Sequence, residues 1–176
     1  YTFRPCNLSE VKASFDLALN VNVPSNIVLS RQTLKNISSS VSDAKMGGYI
    51  ISKEDGDKLD IIILATGSEV QLAFETKELL SKKGLSVRIV SMPCLELFDL
   101  QSEKYRESII PTNFKNIFSI EAGATVGWYK YVGKRGKCFG VDDFGASATP
   151  QELYSKFGLT ADNIARDILV EYKKNK

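Results

Sequence analysis

The chain of 176 residues contains no histidine. That removes the commonest general base and the commonest metal ligand, and excludes a self-contained hydrolase triad built on His. There are three cysteines, Cys6, Cys94 and Cys138. They are widely spaced and form no CxxC, so no disulfide framework or zinc signature is present. A reducing, cytoplasmic setting is the expectation. No apolar run approaches the ~20 residues a bilayer span requires, so no membrane partner is expected. The opening "YTFRPCNLSE" has neither the basic nor the apolar region of a signal peptide. Net charge is only +2, too little to point to nucleic acid; Lys173, Lys174 and Lys176 read as a solvated tail.

What is present is an ordinary globular balance, 43% hydrophobic and 25% charged. "YTFRP" is β-rich and stopped by Pro5. Asn7 followed by Glu10 reads as a capping box, and Val11, Phe15, Ala18 and Leu19 recur at helical spacing. "IVLSR" then reads as a buried strand ending on Arg31. A helix between two strands implies a parallel pair. This strand-helix-strand over residues 1–31 is too small for a domain, and reads as the tail end of one. Residues 32–46, around "SSSVSDAK", show no periodicity and read as an interdomain linker.

Residues 47–176 read as a second, complete domain. "GGYIIS" and the apolar run "IIILATG" are predicted strands, the latter buried on both faces. "SEVQLAFETKELLSKKG" is a predicted helix with Ser68 as N-cap, Gln71 closing a capping box and Gly84 as its stop. Strands in "LSVRIVSMP", "NIFSIEAG" and "KCFGVDDFG" follow, with a helix in "SEKYRESII". Thr149-Pro150-Gln151-Glu152 is a helix start, and "LTADNIARDILVEYKK" is the last helix. The predicted fold class is α/β: a three-layer, open, mostly parallel sheet with helices on both faces, preceded by a partial strand-helix-strand.

Candidate chemistry is sparse. In "ATGSEV", Gly67 and Ser68 stand where a helix N-terminus follows a strand, a place that attracts anions, although the same residues suit a tight turn and a cap. Asp55, Asp57 and Asp60 alternate as calcium ligands do, but the rest of such a loop is missing, and a solvated turn is the plainer reading. No metal ligand set is assigned. Trp128, Tyr129 and Tyr131 beside Lys130, Lys134 and Arg135 suit packing better than base stacking, given the small net charge. Arg31 lies where a parallel strand delivers side chains to its crevice: it suits a phosphate clamp or an edge charge equally.

Taken together, "SRQTL", "GGYIIS", "IIILATGSEVQLA", "VRIVSMPCLELFDLQSEKYRESIIP", "EAGATVGWYKYVG" and "VDDFGASATPQELYSKFGLT" resemble the C-terminal part of transketolases, in that family's order and spacing. One departure is "GASAT" for the more usual "GASAP", with the proline one place later at Pro150. The resemblance implies an enzyme that moves a two-carbon ketol unit between sugar phosphates in the pentose phosphate pathway. It also implies a homodimeric parent using thiamine diphosphate and Mg²⁺ or Ca²⁺. This chain would hold the end of the pyrimidine-binding domain and the whole C-terminal domain. The cofactor motif, the activating Glu and the catalytic histidines would lie upstream, so no catalytic residue and no bound cofactor are expected here. By motif, Arg31 of "SRQ" is the expected binder of the substrate phosphate. A free-standing α/β interaction module and the C-terminal subunit of a split thiamine-diphosphate enzyme are the alternatives.

Overall fold

A computed structural model describes residues 1–175. The chain starts with β1 (Thr2–Phe3), α1 (Leu8–Ala18) and β2 (Asn26–Ile27), and the two strands pair in parallel as expected. Asn7 caps α1 by accepting from the Glu10 amide at 2.9 Å. Glu10 does not close the box on Asn7, however. Its carboxylate reaches one residue further back, to the Cys6 amide at 2.7 Å.

The predicted strand to Arg31 is much shorter than expected. Val28 donates to the Phe3 carbonyl at 2.8 Å, and pairing stops there. The physical cause is β1 itself: the chain leaves the pair at Arg4, whose amide turns to the Pro93 carbonyl, and Pro5 has no amide to donate. Val28 and Leu29, predicted buried, are 42% and 53% exposed.

Residues 32–46 are mostly irregular but include α2 (Val41–Ala44), capped by Ser40. One helical turn is too short to show a 3.6-residue period. Its Ala44 is buried with Ala13 and Tyr49. Gly47, at φ +81°, lets the chain turn into the sheet; a Cβ there would lie 2.5 Å from the Cys94 carbonyl oxygen.

The remaining elements are β3 (Tyr49–Ser52), β4 (Ile61–Ala65), α3 (Glu69–Ser81), β5 (Val87–Ser91), α4 (Leu95–Asp99), α5 (Glu103–Ile109), β6 (Ile117–Ile120), α6 (Tyr129–Val132), β7 (Lys137–Phe139), α7 (Pro150–Lys156) and α8 (Ala161–Lys174). A 3-10 turn, Thr125–Gly127, precedes α6. The five strands lie in the order β3-β5-β4-β6-β7, with β3 antiparallel and the rest parallel.

All five residues of β4 are fully buried, since it is paired on both sides and covered on both faces. Ile61, Ile63 and Ala65 join Val70, Ala73 and Leu80 of α3 and Ile164 and Ile168 of α8. Ile62 and Leu64 point the other way, toward Phe98, Ile109, Trp128 and Val132 from the α4–α6 side. The alternation of a strand thus serves two apolar layers.

The helix termini show where local rules hold. Thr149 and Glu152 form the predicted capping box with Pro150 in the first turn. Gly84 ends α3 at φ +77°. Ser68, predicted as N-cap, is already helical and caps nothing with its side chain; its hydroxyl donates to Glu69 at 2.7 Å instead. Gln71 does not close a box either, but accepts from the Lys35 amide at 3.2 Å.

Candidate functional site

In an open parallel sheet, ligands occupy the crevice at the carboxyl ends of the strands. Here the chain's first residues occupy part of that edge. The Arg4 carbonyl accepts from the Gly67 amide at 2.9 Å and the Thr66 hydroxyl at 3.2 Å. Its guanidinium enters between two carboxylates, at 3.2 Å from Glu69 and 2.6 Å from Glu121.

Glu69 has no solvent exposure. Besides Arg4 it accepts from Ser68 Oγ at 2.7 Å, Tyr154 Oη at 2.6 Å and the Ala122 amide at 3.1 Å. A buried carboxylate needs such a full donor set, and its charge also suits the first turn of α3. Glu121 accepts from Trp128 Nε1 at 2.6 Å on its other oxygen.

A second buried carboxylate stands at the same edge. Glu10 accepts from the Cys6 amide at 2.7 Å, Tyr49 Oη at 2.8 Å and Ser91 Oγ at 2.6 Å. Burial first, and then the Glu10 charge, push the Cys6 thiol and the Tyr49 phenol well above their ordinary values, so both keep their protons.

Beside this joint opens a cleft of about 880 Å³, lined by Arg31, Gln32, Ser68, Gln151, Tyr154 and Phe157 among others. The fold therefore brings Arg31 and Ser68 to one cavity. Arg31 is exposed. Ser68 has its hydroxyl committed to Glu69. Gly67, at φ +57°, faces the Arg4 side chain and spends its amide on the Arg4 carbonyl. Tyr154, whose phenol is raised by burial and then by the Glu69 charge, accepts from Gln32 Nε2 at 3.3 Å.

The aromatic stretch divides. Trp128 is buried, Tyr131 packs at 6.0 Å from Phe98 and donates to Asp99, and Tyr129 is 59% exposed. Asp60 is buried and takes Tyr172 Oη at 2.7 Å, the Ser86 amide at 3.1 Å and Lys58 at 2.5 Å.

Among the described residues no group of three His, Cys, Asp or Glu is placed to hold a metal ion. The two buried carboxylates are saturated with protein donors. These residues do not fit a metal-bound diphosphate, and no step through one is assigned to them. Among the described residues no helix is long and apolar enough to cross a membrane.

Arg4, Glu69, Glu121 and Tyr154 were not singled out from the sequence. The one local signal was an acid in the first turn after a wholly apolar strand.

Residues 47–160 match the family described as "Transketolase-like TK C-terminal domain". The chloroplastic transketolase of Solanum tuberosum is 44% identical over 165 residues, which is 92% of this chain and 22% of that protein. Among solved structures, transketolase from Leishmania mexicana superposes with a TM-score of 0.90 at 36% identity, over 98% of this chain and 25% of that one. Transketolase from Pichia stipitis in complex with sedoheptulose-7-phosphate gives 0.87 at 35% identity, over 98% and 25%. The chain spans about a quarter of the length of the relatives it matches. On a family match covering most of its length, this chain belongs to the transketolase-like C-terminal domain family.

Proposed function

We propose that the chain is the C-terminal part of a transketolase, an enzyme that transfers a two-carbon ketol unit from a ketose phosphate to an aldose phosphate with thiamine diphosphate and a divalent metal. The observation that carries this is likeness to transketolases along nearly the whole chain rather than at one motif. Residues 1–31 are the end of the pyrimidine-binding domain, 32–46 the passage between domains, and 47–176 the C-terminal domain. The apolar residues left exposed just after α1 and β2, Leu19 and Leu29 among them, suit packing against the remainder of such an enzyme. Its other properties follow the family: a cytoplasmic homodimer of the pentose phosphate pathway, with the cofactor held by residues outside this chain.

Within this reading Arg31 binds the substrate phosphate. It is exposed at the mouth of the cleft, and it makes no ion pair within the described residues. Its contribution is remote binding energy that orients the sugar. Gly67 makes the turn, with its amide on the Arg4 carbonyl, and Ser68 lines the cleft, with its hydroxyl on Glu69.

The test is ketol transfer by the full-length protein with thiamine diphosphate and Mg²⁺; absence of turnover overturns the proposal. Arg31→Ala should raise KM for phosphorylated donors about 10- to 100-fold more than for unphosphorylated ones, as loss of a charge-assisted contact implies. An equal effect on both donors removes Arg31 from this role. The chain by itself should show no thiamine-diphosphate binding by calorimetry, and a measured binding isotherm would contradict the division of labour proposed here.

A further inference from the structure

Tyr154 belongs to α7, far along the chain from the arginine loop, yet its hydroxyl joins the two. It donates to Glu69 at 2.6 Å and accepts from Gln32 Nε2 at 3.3 Å. Gln32 is the residue after Arg31. Glu69 is itself immobilised by the Arg4 guanidinium, the Ala122 amide and Ser68. Because the Tyr154 phenol retains its proton beside that carboxylate, it donates to Glu69 and offers its lone pair to Gln32.

The loop carrying Arg31 is thus fixed on both sides. Before it, Val28 is tied to Phe3. After it, Gln32 is tied to Tyr154 and the Lys35 amide to Gln71. Between these anchors the Arg31 side chain stays exposed. A long flexible side chain binds well only when its backbone origin is held in place, since otherwise ordering it consumes binding energy.

We infer that Tyr154, acting through Gln32, is a positioning residue for Arg31: the C-terminal domain sets where the guanidinium meets the phosphate of a phosphorylated sugar. This rests on the role of Arg31 proposed above.

The experiment is steady-state kinetics of the full-length protein with a phosphorylated and an unphosphorylated ketose donor, comparing Arg31→Ala, Tyr154→Phe, Gln32→Ala and the Arg31→Ala/Tyr154→Phe pair. Loss of one positioning hydrogen bond in Tyr154→Phe should raise KM for the phosphorylated donor about three- to tenfold. Its kcat, and KM for the unphosphorylated donor, should not change. Gln32→Ala, at a half-exposed position, should reproduce the selective effect and decides the matter if Tyr154→Phe folds poorly. In the Arg31→Ala background Tyr154→Phe should add nothing. If Arg31→Ala is selective for the phosphorylated donor while Gln32→Ala and any folded Tyr154→Phe are not, the positioning role is overturned and Arg31 keeps its own. If Arg31→Ala is not selective, both fall together.

Discussion

The strand-helix-strand of residues 1–31 and the five-stranded sheet are built by opposite means. In the sheet, β4 is covered above, below and on both edges, and its five residues are fully buried. In the first unit the strands are two residues long, and Leu8 at the start of α1 and Leu19 just past its end are 80% and 83% exposed. Its most buried polar group, Glu10, finds donors on β3 and β5 rather than within its own unit alone. The sheet is held by apolar layers it supplies itself. The smaller unit is held onto the carboxyl edge of that sheet by Arg4 and Glu10, and it forms part of the wall of the cleft that opens there.

The comparison can be broken most severely in the core. Ile63→Ala, on the central strand with no solvent exposure, should cost about 2–5 kcal/mol by urea unfolding. Leu19→Ala, at the exposed C-cap of α1, should change the same measurement by less than about 0.5 kcal/mol. A comparable loss at both positions would erase the distinction between the units.

The joint comes next. Arg4→Met leaves Glu69 buried without its cation, at a cost of roughly 2–3 kcal/mol, less than for a wholly buried pair because Arg4 is partly solvated. Hydrogen exchange should locate the loosening in residues 1–31 and spare β4. Uniform loss of protection would show the two regions to be one cooperative unit.

The smallest effect separates the joint from a pair between β5 and the loop after β3. Arg88 of β5 holds Glu54 through bonds of 2.8 and 2.5 Å and lowers its pKa from 4.5 to about 2. A depressed folded-state pKa stabilises the fold above 4.5, and the contribution is lost as pH falls from 4.5 toward 2. After solvent screening it amounts to about 1 kcal/mol or less. Arg88→Met should therefore flatten the pH dependence of the urea midpoint in that window; an unchanged slope would mean that other carboxylates set it.

What could be read without coordinates was local. The Thr149–Glu152 capping box spans four residues, and both partners are fixed once the helix starts. The unbroken run at Ile61–Ala65 announced a strand covered on both faces. Misreadings arose where another group competed for the same donor or where a partner strand set the limit. Ser68 was a sound cap by pattern, but the buried Glu69 beside it takes its hydroxyl. The strand through Arg31 was cut short by its partner's length, which the strand's own residues cannot announce. The turns α2, α4 and α6 are four or five residues long and carry too little periodicity to be seen.

The sequence by itself determined the alternation of strands and helices, the two-faced burial of the central strand and, through the "SRQ" resemblance, the interest of Arg31. Only the tertiary structure decided what surrounds that arginine. Arg4 and Glu121 are 117 positions apart, and Gln32 and Tyr154 are 122. Periodicity and capping act over a few residues, whereas a buried carboxylate draws its donors from whichever segments the fold brings near. The buried Glu69 thus gathers Arg4, Ser68, the Ala122 amide and Tyr154, and Tyr154 in turn accepts from Gln32 beside Arg31.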